Sequence, residues 1–274
     1  MGSPIRSIGE GAARRLASAY FAVSHRLLAT PAGREFLRAS AAPGAPAVHG
    51  YSTSDDLTAL LEALRPSTND LLVDLGCGTG DVAIAIHQRT GCRVVGVDVA
   101  ARAVVEARQR AREAGTTAEA VRFEVGDLAS PPVGAASAYA LDSVMFAPRP
   151  PKVLASASRS LEPPARIFAT FIDHRGLDRD GFARFIESGG LRLERLDDVT
   201  AAFREGSRRR AAVARRLLRG RPAMAGRFGL LMVLVEESIV TRLIERGRSR
   251  RWRFTVFRGP PGLNDGADPP ASAA

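Results

Sequence analysis

The chain has 274 residues, 45% of them hydrophobic, and its formal net charge of +10 is almost entirely an arginine effect, with Lys152 the sole lysine. That length can bury a full core, whereas no stretch approaches the roughly 18 apolar residues that would span a bilayer. Residues 1–6 lack the apolar run of a secretory leader, so a cytoplasmic protein is expected. Cys77 and Cys92, the only cysteines, lie far apart without a neighbouring histidine, which argues against a disulfide framework or a zinc site, and no metal is expected.

Read in chain order, Leu16, Tyr20, Val23, Leu27 and Leu28 recur at helical spacing, and a second short helix fits residues 33–40. A linker by composition follows at 41–46. A helix capped at Ser54 or Asp55 is predicted to run to Leu64, before Pro66. From Leu71 onward the pattern alternates between strands and helices, as in a parallel doubly wound α/β sheet. Strands are predicted near 71–75, 93–97, 121–125, 137–144, 165–172 and 191–197, and helices near 80–89, 100–114, 151–160 and 179–188. The turn before the fifth strand is placed at Leu161-Glu162-Pro163-Pro164-Ala165.

Two further helices precede a last strand at 251–257. The first carries Arg204, Arg208, Arg215 and Arg219 on one face and Phe203, Val213, Leu217 and Leu218 on the other. The second, about 227–246, is apolar around most of its first half and is expected to be well buried. Residues 201–258 hold sixteen arginines against four glutamates, so the basic charge belongs to this segment. The Pro-, Gly- and Asp-rich stretch 259–274 is expected to be disordered.

The chemistry is concentrated at Leu71-Leu72-Val73-Asp74-Leu75-Gly76-Cys77-Gly78-Thr79-Gly80-Asp81, followed by Val94-Val95-Gly96-Val97-Asp98. An apolar strand runs into three glycines at alternate positions, and a second strand ends in an acid 22 residues after the first glycine. This is how a βαβ unit holds a nucleoside-type cofactor: glycines let the backbone turn tightly beside the ligand, and a carboxylate reads the ribose. Asp81 stands where a dinucleotide-binding loop needs its third glycine. Acids at Asp74 and Asp81 would repel a diphosphate and suit a ligand carrying an amine and a sulfonium, while Asp98 suits a free 2′,3′-diol.

On these residues the chain resembles the class I S-adenosylmethionine-dependent methyltransferases, of the small-molecule type. Val121-Arg122-Phe123-Glu124-Val125-Gly126-Asp127-Leu128 is similar to that family's third strand with its adenine-binding acid, and residues 138–146 to its fourth strand. The resemblance implies a Rossmann-like seven-stranded sheet with N-terminal helices and a helical lid inserted before the last strand. The corresponding layout is an N-terminal cap and linker (1–48), a methyltransferase domain (49–258, lid about 200–250) and a tail. It also implies S-adenosylmethionine as cofactor, held by Tyr51, Asp74, Gly76, Cys77, Gly78, Gly80, Asp98, Val99, Asp127, Leu128, Leu141 and Asp142.

On the acceptor side, His174, Glu236 and Tyr20 are the candidate catalytic groups, with a solvated loop position, ion pairing and packing, respectively, as their plainer roles. Glu237, His25, His49 and His87 are weaker candidates. The expected partner is a small-molecule substrate of bacterial secondary metabolism, bound by a monomer or homodimer. An anionic substrate such as a prenyl diphosphate, gripped by lid arginines, and RNA on the basic segment are the alternatives. Nucleic acid is disfavoured because aromatic residues for base stacking are few and the motifs of the base- and ribose-methylating enzymes are missing after the fourth strand.

Overall fold

The computed structural model describes residues 30–41 and 51–258. Tyr20, His25 and His49, most of the expected linker and the tail lie outside the described residues. Seven strands form one sheet: β1 (Leu71–Leu75), β2 (Arg93–Asp98), β3 (Val121–Val125), β4 (Ala135–Leu141), β5 (Leu161–Asp173), β6 (Arg192–Asp198) and β7 (Arg250–Arg258). Their order is β3-β2-β1-β4-β5-β7-β6, with β7 antiparallel to both neighbours. The chain leaves β1 towards β2 on one side, and β4 lies on its other side. This reversal opens a crevice at the carboxyl ends of β1 and β4.

Alternation along β1 sorts the core into two layers. Val73 and Leu75 face a layer with Leu154 of α5 (Pro150–Arg159) and with Phe182 and Ile186 of α6 (Arg179–Glu187). Leu72 faces the other, with Leu57 and Leu60 of α2 (Ser54–Leu64), Ile84 and Ile86 of α3 (Asp81–Thr90) and Val104 of α4 (Ala101–Glu113). Each such buried side chain contributes about 1.5–3 kcal/mol. Trp252 of β7 stacks on Phe182 with ring centroids 5.1 Å apart.

Element boundaries shift for local reasons. The cap of α2 is Thr53 rather than Ser54 or Asp55: its hydroxyl accepts from the Asp56 N–H and the Asp56 carboxylate accepts from the Thr53 N–H, a reciprocal capping box. The predicted turn at 161–165 is instead the start of β5. Pairing jumps from Ala135–Leu161 to Ser137–Arg166, so the two prolines, which lack N–H donors, bulge out of the ladder. Strand β4 ends at Leu141, earlier than expected, because Asp142 takes a left-handed φ of 51° and a short 3-10 turn follows at Val144–Phe146.

Helices α7 (Thr200–Arg219) and α8 (Met224–Glu245) are inserted between β6 and β7. With α1 (Pro31–Ser40) they build a small core of their own from Phe36, Leu37, Ala214, Leu230 and Val233. Phe203 and Val240 join them to the sheet by packing on Ile172, at the end of β5, and on Met145, beyond β4. The first half of α8 is less buried than its composition implies. Gly229 and Leu230 are covered, but Phe228, Leu231, Met232 and Val235 are about half exposed, since a single helix face suffices for contact with α1 and α7. No helix among the described residues is long and apolar enough to cross a membrane.

Candidate active site

The glycine turn is forced by its surroundings. Gly76, Gly78 and Gly80 all have positive φ, which a side chain tolerates poorly. A Cβ at Gly76 would sit 2.4 Å from that of Ser143, and one at Gly80 would sit 2.5 Å from the Phe123 ring. At Gly78 an added Cβ would meet nothing within 4 Å. Two glycines are therefore required by packing, and the third borders open space at the crevice.

Asp98, ending β2, braces this turn. Its Oδ2 accepts from the Gly78 N–H (2.9 Å) and its Oδ1 from the Ala100 N–H (2.8 Å). A carboxylate offers about four lone-pair sites, so two bonds leave capacity for a diol. The Gly76 and Cys77 N–H groups are used within the fold, both donating to the Val97 carbonyl. The open side of Gly78 and the part-exposed Asp98 carboxylate thus fit a nucleoside ligand.

The other two acids around the loop act differently from the charge argument drawn from sequence. Asp74 is buried beneath the turn on the same face as Tyr139. Burial, with Asp98 nearby, pushes its carboxyl up to about 8, outweighing the Tyr139 hydroxyl, and the acid holds its proton at neutral pH. Asp81 is gripped by Arg110 at 2.6 Å. Neither is a free negative flank, so the repulsion of a diphosphate rests on Asp98. The Cys77 thiol is also buried and is pushed well up by burial, which leaves it inert as a nucleophile.

Asp142, expected beside the cofactor, is committed to an ion-pair clamp. Arg251, only 1% exposed, donates through Nε to its Oδ1 (3.0 Å) and through Nη2 to its Oδ2 (3.1 Å). The third nitrogen, Nη1, reaches Asp56 Oδ2 at 2.9 Å. The Thr170 hydroxyl and the Tyr51 N–H also donate to Asp142. The capping acid of α2, the end of β4 and the start of β7 thereby meet on one guanidinium. Two desolvated carboxylates hold Arg251 more firmly protonated still.

Tyr51 continues the network into the insertion. Its hydroxyl donates to Glu237 Oε2 at 2.9 Å, and Arg210 Nε donates to Glu237 Oε1 at 2.6 Å. The Arg210 guanidinium also lies over the Tyr51 and Phe36 rings. Burial and the Glu237 charge push the Tyr51 phenol far up, so it stays a donor. Glu236, the neighbouring acid, is only partly exposed and makes no hydrogen bond or ion pair among the described residues. Burial raises its carboxyl above the ordinary range, against the pull of Arg210.

The remaining candidates fall at scattered points. Val99 is 40% exposed just beyond Asp98. Asp127 accepts from the Ala129 N–H, and Leu128 and Leu141 edge the two core layers. His174 is exposed after β5 with Nδ1 3.1 Å from Ser249 Oγ, and no contact joins it to the Tyr51–Glu237 pair. His87, on α3, is tied to the Cys92 carbonyl. Sequence reasoning missed Arg251, Asp56 and Arg210. Nothing local singles them out, since Arg210 and Arg251 each sit among other arginines, and their partners lie 27 to 195 residues away.

Comparison with known proteins agrees with this geometry. Residues 72–164 match a methyltransferase domain family. The methyltransferase GfsG of Streptomyces halstedii is 27% identical over 53% of the chain and 61% of its own length. The 27-O-demethylrifamycin SV methyltransferase of Amycolatopsis mediterranei is 30% identical over 57% and 64%. The chain thus spans less than two thirds of the length of either relative. A solved geranyl diphosphate methyltransferase in complex with SAM superposes with a TM-score of 0.62 at 22% identity, covering 85% of this chain and 94% of that one. Fold, glycine loop and the family match over residues 72–164 together support a class I S-adenosylmethionine-dependent methyltransferase unit.

Proposed function

We propose that the chain transfers a methyl group from S-adenosylmethionine to a small-molecule acceptor, in bacterial secondary metabolism. The observation that carries this reading is the open side of Gly78 beside the Asp98 carboxylate, a cradle for a nucleoside with a free diol. The actinobacterial relatives, one of them named for a rifamycin substrate, support the substrate class.

Asp98 would hold the ribose hydroxyls, Asp127 and Leu128 the adenine, and Tyr51 the segment over the amino-acid end. The bound sulfonium supplies an already activated methyl group, so the protein's task is alignment and exclusion of water. Good positioning is worth about 7–11 kcal/mol of barrier. The α7–α8 insertion and α1 serve as the lid that excludes water. Glu236, partly buried and without a partner among the described residues, is the group suited to take a proton from the acceptor, and burial raises its carboxyl above the ordinary value, which makes it a stronger base. His174, exposed and tied to Ser249, is the less favourable alternative.

Calorimetric titration of S-adenosylhomocysteine into the full chain tests the cofactor reading. A dissociation constant of about micromolar order is expected, lost in Asp98→Ala; no heat at about 1 mM ligand, a complex worth roughly 4 kcal/mol or less, would sink it.

A further inference from the structure

On the insertion, α7 and α8 enclose a cleft of about 270 Å³ lined by Arg208, Ala211, Arg215, Ser238, Thr241 and Arg242. Arg208 and Arg215 stand two turns apart on one helix and so share a face, and Arg242 comes from the other. Few carboxylates balance these three cations. Arg208 has only Glu245, at 3.9 Å. Among the described residues neither Arg215 nor Arg242 pairs with an acid. Glu237, which also lines the cleft, is consumed by Arg210 at 2.6 Å. The hydroxyls are turned inward as well, Ser238 to the Leu234 carbonyl and Thr241 to Ser207. Three arginines outside the cleft, by contrast, pair closely with acids: Arg110 with Asp81, Arg166 with Glu194 and Arg250 with Asp198, all within 3.0 Å.

The geometry points to an anion site here, one that takes the phosphate or diphosphate group of a small molecule. Three exposed guanidiniums lining one cleft carry like charge, and an anion bound among them would offset their mutual repulsion. Guanidinium forks match phosphate oxygens two at a time. Small size and the Ala211 floor leave room for a phosphate group but not for a strand of nucleic acid. The lining carries no aromatic side chain on which a base could stack. The site does not depend on the cofactor assignment. If both hold, the acceptor would be a phosphorylated molecule; Glu237, which lines the cleft, accepts from the Tyr51 hydroxyl, and the Tyr51 N–H donates to Asp142 just beyond β4.

The test is titration of inorganic pyrophosphate into the full chain at about 150 mM salt, where weak phosphate contacts are screened. Saturable binding below about 1 mM is expected. The Arg215→Ala/Arg242→Ala double variant should weaken it at least about tenfold, while Arg184→Ala on α6, far from the cleft, should leave it unchanged. S-adenosylhomocysteine binding, measured on the same three proteins, should not move, which separates failure of this site from failure of the cofactor site. The proposal is overturned by no saturation up to about 10 mM pyrophosphate, or by equal loss in Arg184→Ala. It is equally overturned if bulk RNA is held at that salt more tightly than pyrophosphate and released by the double variant, which would assign the cleft to nucleic acid.

Discussion

Two regions of this molecule bury acids beside the same crevice and treat them in opposite ways. Under the glycine turn, Asp74 has no cationic partner among the described residues and keeps its proton. Beneath the insertion, Asp56, Asp142 and Glu237 are each matched to a buried guanidinium, Arg251 or Arg210. The glycine side is built for shape, with close contacts that exclude even a Cβ. The insertion side is built for registry: a guanidinium fork with two carboxylates has few alternative arrangements, so it fixes where α2, β4 and β7 meet. Breaking the second region should therefore unfold the protein, whereas breaking the first should cost ligand binding and some stability.

The sharpest break is Arg251→Ala. It leaves Asp142 without a cation among the described residues and Asp56 with only Arg253, at 3.6 Å, in a site where the arginine is 1% exposed, and removing one partner of a buried pair costs about 3–5 kcal/mol. Urea denaturation should show a loss of unfolding free energy of that size, and a change below about 1 kcal/mol, the worth of a surface pair, would mean that water reaches the clamp. Gly76→Ala comes next. The new methyl group meets Ser143 at 2.4 Å and the backbone keeps a φ of 87°, so a loss of about 1–3 kcal/mol is expected from backbone strain alone. S-adenosylhomocysteine affinity should fall with it. At Gly78, where φ is 51° but nothing blocks a Cβ, Ala should cost less stability while still placing a methyl group at the ligand-facing side of the turn.

Asp74 offers a pH test of the contrast. An unfolded aspartic acid titrates near 3.9, whereas in the fold its value is about 8. Between those values the folded chain binds more protons than the unfolded one. Stability therefore falls as pH rises through that window, by at most about 1.4 kcal/mol per unit, and levels off above it. Denaturation curves of Asp74→Asn, which cannot ionise, should lack this slope. A wild-type protein no less stable at pH about 7 than at pH about 5 would show that Asp74 is already charged in the fold.

How legible each region is in the sequence follows from the range of its contacts. The turn, its strand and Asp98 lie within 28 residues, and their spacing carries the whole signal, so strands β1 to β3 fall almost where apolar periodicity puts them. The clamp is invisible for the opposite reason. Arg251 looks like one more arginine in a segment that holds sixteen, and only the antiparallel docking of β7 on β5 brings it to Asp142 and Asp56. Asp142 shows the same limit. The motif reading assigns it to the cofactor, while the fold spends both its oxygens on Arg251. The half-exposed face of α8 is a third case, because composition reports how apolar a helix is but not how many neighbours it has.

The mildest perturbation falls where the two regions touch. Tyr51 binds Asp142 through its backbone and Glu237 through its hydroxyl, and its ring packs edge-on against Phe203 with centroids 4.6 Å apart. Tyr51→Phe keeps the ring and the N–H and removes one donor from a carboxylate that Arg210 still neutralises. A stability loss of only about 1 kcal/mol is expected. If the insertion is a lid seated by this bond, the variant should also release it. Proteolysis at the arginines of α7 should then speed up more than global unfolding accounts for, while S-adenosylhomocysteine binding at the glycine turn stays within about threefold, the equivalent of roughly 0.7 kcal/mol. Proteolysis that speeds up only as far as global unfolding accounts for, with ligand binding unchanged, would make Tyr51 a packing residue. A large loss of ligand affinity would move it from the hinge between the regions into the cofactor site itself.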